Sequence, residues 1–154
     1  QSTLANQLAE EALRAKVVGA LEQWDVVRAE YPYEGSRFDF LMENTAGSQL
    51  LVEVKSCTLV QEGMAMFPDA VTARGARHVH KLAELHSRGI VQGAVLFVVQ
   101  RSDARSFKPA AHIDPRFAQA LQVARRAGMH ILAYKCQVEE EGIVWGPQLP
   151  VQLV

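Results

Sequence analysis

Two short arms, residues 36–43 and 49–56, constrain this chain more than any other feature. In the first, Phe38, Phe40 and Met42 alternate with Arg37, Asp39 and Leu41; in the second, Leu50, Val52 and Val54 alternate with Leu51, Glu53 and Lys55. Period-2 alternation marks strands. Between the arms runs Asn44-Thr45-Ala46-Gly47-Ser48, which has turn composition. The arms therefore predict a hairpin centred on Ala46. That centre sets Asp39 opposite Glu53, with Cβ atoms roughly 4.5–5.5 Å apart.

The rest of the chain supplies layers for this hairpin to pack between. Residues 4–22 read as a helix whose apolar arc holds Leu4, Leu8, Ala12, Ala15, Val18 and Gly19. Glu11 falls inside that arc and so needs a partner or a metal, because burying a lone charge is costly; Glu10 points elsewhere, toward solvent. A strand is expected over 25–31. A second helix spans 72–88, capped by Thr72 and followed by Gly89. The apolar run 93–99 suits the centre of a sheet. Residues 101–113 read as a polar loop. Asp114-Pro115 opens a third helix with a stripe of Phe117, Ala120, Leu121 and Ala124, stopped by Gly128. A core strand over 129–138 and a tail with a turn at Glu141-Gly142 complete the chain. Helix, three strands, helix, strand, helix, strand implies an α/β three-layer αβα sandwich on a mixed central sheet of about five strands. We read one domain over 1–154, with residues 139–154 as a C-terminal extension packed on it.

Composition excludes several classes. Of 154 residues, 49% are hydrophobic and 21% charged, which argues against disorder or a fibre. No apolar run approaches the ~20 residues of a membrane span. Residues 1–11 lack the basic start and apolar stretch of a signal peptide. A chain opening on Gln1 is expected to have lost its N-terminus or to show it incompletely. Cys57 and Cys136 have no metal-type spacing and read as reduced thiols of a cytoplasmic protein. A net charge of −1 excludes a uniformly basic coat, yet residues 1–43 carry eight acids to four bases, and residues 72–126 ten bases to three acids. An acidic pole beside a basic one suits a metal site next to a polyanion, or two solvated helix faces of opposite sign.

Asp39, Glu53 and Lys55 carry the chemistry. Glu53 and Lys55 leave one face of a strand, and Asp39 meets them across the hairpin. Paired carboxylates repel unless a cation sits between them. Oxygen ligands, including the Val54 carbonyl, favour Mg²⁺ or Mn²⁺. Lys55 can hold a water or a developing phosphate charge. Such a set can hydrolyse a phosphodiester; an ordinary cross-strand Glu–Lys pair is the plainer alternative. On the 72–88 helix, Arg74, Arg77, His78, Lys81 and Arg88 share a basic stripe suited to backbone phosphates. His86 reads as a core histidine, and Asp69 as a brace for the helix start. Arg101, Arg105 and Lys108, with Phe107 among them, could hold a single strand by charge and stacking.

At these residues the chain resembles a known family. "SRFDFLM", "VEVKSCTLV", "FPDAVTARGARHVHKL", "VLFVVQRSDARSFKP" and "IDPRFAQAL…AGMHILAYKCQV" together resemble the sugar fermentation stimulation protein A family of bacteria and archaea. The match spans residues 6–154. The resemblance implies a restriction-endonuclease-like core of the PD-(D/E)xK type, with Asp39 as motif acid, Glu53 and Lys55 as the Glu-x-Lys pair, and Glu11 as the helix acid. Phe38 stands where the superfamily usually has proline. The resemblance also implies an N-terminal OB-like barrel absent here, DNA binding, and regulation of sugar metabolism, particularly maltose. Two readings follow: a Mg²⁺-dependent nuclease on DNA or RNA, or a DNA-binding regulator without turnover. A scaffold role beside the absent barrel is a third. Nucleic acid, with DNA favoured, is the expected partner; a membrane is not, and a homodimer stays open.

Overall fold

The computed structural model describes residues 3–153; residues 1, 2 and 154, counted above within the single domain, lie outside the described residues. Two helical layers enclose a six-stranded sheet, one strand more than the approximate count expected. The first helix, α1 (Leu4–Arg14), is capped by Thr3, whose hydroxyl accepts the Asn6 N–H at 3.1 Å. It buries Ala5, Leu8, Ala9, Ala12 and Leu13. Lys16 then takes a left-handed φ of 62° and ends the helix well short of residue 22; residues Gly19–Leu21 form a separate 3-10 turn.

Strands β1 (Asp25–Tyr33), β2 (Ser36–Glu43) and β3 (Gln49–Cys57) form an antiparallel meander. Phe40 pairs with Val52, Leu41 with Leu51 and Met42 with Leu50, the register of a hairpin centred on Ala46. After α2 (Ala73–Ser87), strand β6 (Gln92–Val99) lies parallel to β3, and β8 (His130–Glu139) parallel to β6. The edge strand β9 (Gly142–Leu149) runs antiparallel to β8, so this part of the tail belongs to the main sheet. α2 and α3 (Pro115–Arg126) cover one face through Phe38, Leu51, Val95, Phe97 and Ile131. α1 covers the other through Phe40, Met42, Val52, Leu96 and Leu132. Cys57 and Cys136 are free, and lie in opposite core clusters.

A second small sheet joins β4 (Leu59–Gln61), β5 (Met64–Phe67) and β7 (Ser106–Pro109). It corrects the reading of 101–113 as a plain loop: β7 pairs parallel with β5. Phe107 is fully buried, 4.3 Å from Phe97 between ring centroids, so it cannot stack on a base.

No helix among the described residues is long and apolar enough to cross a membrane.

Candidate functional site

β2 and β3 part just beyond the Phe40–Val52 pair, and the site forms in the opening. Phe40 and Met42 face the α1 layer, whereas Phe38 packs on the other side, stacked at 5.2 Å on the His78 ring. The strand therefore changes face at Asp39. The Asp39 carboxylate turns edgewise, accepting the Val54 N–H at 2.6 Å and the Asn6 side-chain amide at 2.8 Å. A residue's N–H and C=O leave an extended strand on the same edge, so the Val54 carbonyl also faces this opening.

Across the opening stands Glu53, only 7% exposed. Its Oε2 lies 3.0 Å from Lys55 Nζ and 3.0 Å from His78 Nδ1. Asp39 and Glu53 line one cleft, where each carboxylate feels the other's charge. Burial, then the Glu53 charge, push the Asp39 carboxyl up to about 6, against the Val54 and Asn6 hydrogen bonds that lower it. Burial would also raise Glu53, but the His78 hydrogen bond and the Lys55 ammonium outweigh it and hold that carboxyl below its usual range. Two neighbouring carboxylates thus differ in proton affinity.

These groups line a cleft of about 260 Å³ with Glu30, Arg37, Thr72, Arg74 and Gly75. The first turn of α2 forms one wall. Thr72 caps it by accepting the Gly75 N–H at 3.0 Å, and a Cβ at Gly75 would stand 2.8 Å from the Thr72 hydroxyl, so glycine permits this tight start. Buried Asp114 accepts the Thr72 N–H at 2.8 Å and the Phe117 N–H at 3.0 Å. It caps α3 and braces α2 at once, the bracing role expected of Asp69, which is exposed. Glu30 lies opposite Asp39 by the β1–β2 register, at a φ of 53°, and the ladder skips this position. A non-glycine residue there stores about 1 kcal/mol or more. Its Oε1 is 3.6 Å from Arg37 Nη1.

Asp39, Glu53 and Lys55 therefore come together as the hairpin spacing predicts, and Arg74 and His78 of the basic stripe line the same cleft. Glu11 does not: it is exposed, while Glu10 pairs with Arg14 at 3.0 Å. The expected arc counts Leu4 and Ala15, which are exposed, and leaves out Ala5, Ala9 and Leu13. The face that α1 buries is Ala5, Leu8, Ala9, Ala12 and Leu13, turned by roughly 80° from that arc, which puts Glu11 outside it and Asn6 on its rim. Asn6 is the α1 residue that reaches Asp39, and position N3 behind the Thr3 cap was its only sequence signal. Arg77 is exposed beyond the cleft. Lys81 donates to the Glu34 carbonyl and braces the β1–β2 turn. Arg88 pairs with Glu84. Arg101 clasps Asp103 through two hydrogen bonds, and Arg105 packs over the Glu62–Gly63 turn, donating to the Glu62 carbonyl. His86 accepts the Gly93 N–H at 3.0 Å, as a core histidine would.

The donor set at the opening is all oxygen: Asp39, Glu53 and the Val54 carbonyl. It fits a hard divalent cation, which would relieve the carboxylate repulsion that raises Asp39. No group of three His, Cys, Asp or Glu among the described residues gathers to hold an ion, so water would have to complete such a shell.

Comparison with known proteins agrees with this architecture. A protein similar to the chain from Shewanella sp. (strain MR-4), described as a sugar fermentation stimulation protein homolog, is 40% identical over 151 residues, 97% of this chain and 64% of that protein. A homolog of the same description from Clostridium tetani is 38% identical over 152 residues, 99% of this chain and 66% of that protein. The structure of Pyrococcus furiosus SfsA in complex with Ca²⁺ superimposes with a TM-score of 0.89 at 30% identity, covering 97% of this chain and 64% of that one. The chain thus spans about two thirds of the length of these relatives. Its fold is the restriction-endonuclease-like sandwich. The family described as "Sugar fermentation stimulation protein RE domain" matches residues 3–142, and the chain belongs to it.

Proposed function

We propose that this domain cleaves phosphodiester bonds in nucleic acid, with Mg²⁺ or Mn²⁺ as cofactor. One observation carries the reading: Asp39 and Glu53 converge where β2 and β3 part, with Lys55 Nζ 3.0 Å from Glu53 Oε2, in a cleft also lined by Arg37 and Arg74. Asp39, Glu53 and the Val54 carbonyl would hold the ion. When bound, it supplies polarisation of the phosphate and a lower pKa for water. Lys55 would orient the attacking water beside Glu53, and its charge would stabilise the negative charge gathering on the phosphate. Arg74, at the first turn of α2, would hold a non-bridging oxygen. His78 would fix the Glu53 carboxylate through Nδ1, and Asn6 would fix Asp39. Glu11 has no part in this scheme. The calcium complex of the Pyrococcus protein supports a divalent-cation site in the family.

The test is cleavage of plasmid and oligonucleotide substrates in Mg²⁺ against EDTA, with Glu53→Ala and Lys55→Ala alongside. Ion-dependent cleavage lost in both variants supports the reading; cleavage surviving Glu53→Ala rejects this site.

A second reading has its own observation. Lys55 and His78 already satisfy Glu53 without an ion. That suits a DNA-binding regulator, of sugar metabolism as the family name suggests, that keeps the fold without turnover. It expects salt-sensitive DNA binding that persists in Asp39→Ala and Glu53→Ala.

A further inference from the structure

The cleft does not end at Arg37 and Arg74. A groove of about 580 Å³ continues from it along the β1–β2 turn, sharing Arg37, Arg74 and His78 and adding Pro32, Tyr33 and Ser36. Its floor is fixed in two ways. Glu34 and Gly35 take φ values of 49° and 80°, the left-handed pair of a tight hairpin turn, and Lys81 clamps the Glu34 carbonyl from α2. Tyr33 is half-buried, packed on the core beneath it and stacked 6.3 Å from Tyr31. Arg28 in turn sits 5.7 Å over the Tyr31 ring. An anchored aromatic ring, two exposed guanidinium groups, a hydroxyl and one exposed acid, Glu34, thus line a recess that opens onto the carboxylate pair.

We infer that this groove is a subsite for one unpaired nucleotide next to the scissile phosphate. The base stacks on Tyr33, and its flanking phosphates meet Arg37 and Arg74. The substrate class is then a single strand or an unpaired stretch (an end, a flap or a bulge) rather than a continuous duplex, whose bases stay stacked on each other and offer no face to Tyr33. This inference rests on the nucleic-acid reading above but not on catalysis.

The experiment is fluorescence anisotropy in EDTA, where no cleavage intrudes, with a short labelled oligothymidylate and a duplex of equal length. The oligothymidylate binds more tightly. Tyr33→Leu, which keeps apolar packing, weakens it roughly 10-fold or more, whereas Tyr33→Phe binds like the parent chain. Arg74→Gln, a change at an exposed position, lowers the salt slope of single-strand binding by about one. Tighter duplex binding, or single-strand binding indifferent to Tyr33→Leu and with an unchanged slope in Arg74→Gln, overturns the subsite. Binding through Tyr33 without any Mg²⁺-dependent cleavage keeps the subsite and rejects the nuclease. Duplex cleavage at full rate by Tyr33→Leu rejects the subsite and keeps the nuclease.

Discussion

The β2–β3 opening and the 101–107 segment both concentrate charge in the sequence, but the structure uses the two in opposite ways. At the opening, strand register projects Asp39 and Glu53 toward each other, and burial keeps water from separating their fields. In the 101–107 segment, each arginine closes on its own neighbourhood: Arg101 on Asp103 and Arg105 on the Glu62–Gly63 turn. Phe107, the one aromatic there, is a core residue. Strands held by the ladder up to Phe40 and Val52 fix where the like charges just beyond it stand, even as the two backbones diverge. A turn has no such constraint and tends to satisfy its charges locally. Charge density in a sequence therefore points to chemistry mainly where the backbone geometry is already determined.

This contrast is open to attack at several levels. The largest expected effect is on cleavage: Glu53→Ala abolishes it, and Arg101→Ala leaves it intact, as a plasmid-nicking assay would read. Equal losses in the two would erase the distinction. Next comes stability. Phe107→Ala should cost about 3–5 kcal/mol in urea unfolding, the loss for a buried aromatic. A change near zero would return Phe107 to the surface. Asp114→Ala should cost about 2 kcal/mol, because it removes the cap of α3 and the brace on Thr72 together, and it should weaken divalent-ion binding by displacing the α2 wall. Stability lost with ion affinity unchanged would detach Asp114 from the cleft.

The pH dependence sharpens the comparison further. Asp39 holds its proton more tightly in the folded chain, at about 6, than at its ordinary value of 3.8. The stability this confers is fully present below about pH 4 and is lost as pH rises through about 6. Asp39→Asn should therefore gain on the parent chain between those limits in ion-free urea titrations. Mg²⁺ should stabilise the parent chain more near pH 7 than near pH 5, since the ion competes with that proton. Parallel curves for the two chains would remove the carboxylate repulsion from the account. The smallest effect belongs to the exposed pair: Arg101→Ala should change stability by no more than about 0.5 kcal/mol.

How much was legible beforehand follows from the same physics. The hairpin register, the Thr72 and Asp114 caps, and the apolar centre strand β6 were readable, since each rests on a local rule about alternation, capping or burial. The short strands β4, β5 and β7 were not, because three or four residues hold too little alternation to register. Glu11 was misplaced because the buried face of α1 runs through Ala5, Ala9 and Leu13, and small alanines mark a face weakly. Lys81 read as a phosphate ligand, yet its role depends on a turn far away in sequence. Nothing in the sequence marks Glu30 or Arg37 as a cleft residue, for strand patterns do not reveal where a ladder will skip a pair. The carboxylate pair was visible; the helix residue holding it, Asn6, was not.

Crystals soaked in Mn²⁺ and measured for anomalous scattering test the carboxylate pair most directly. The expected result is a peak within coordination distance of both Asp39 and Glu53, with the Val54 carbonyl facing it. Manganese bound only elsewhere, or nowhere, while Lys55 and His78 keep their hold on Glu53, would contradict the metal site and leave the binding reading in its place.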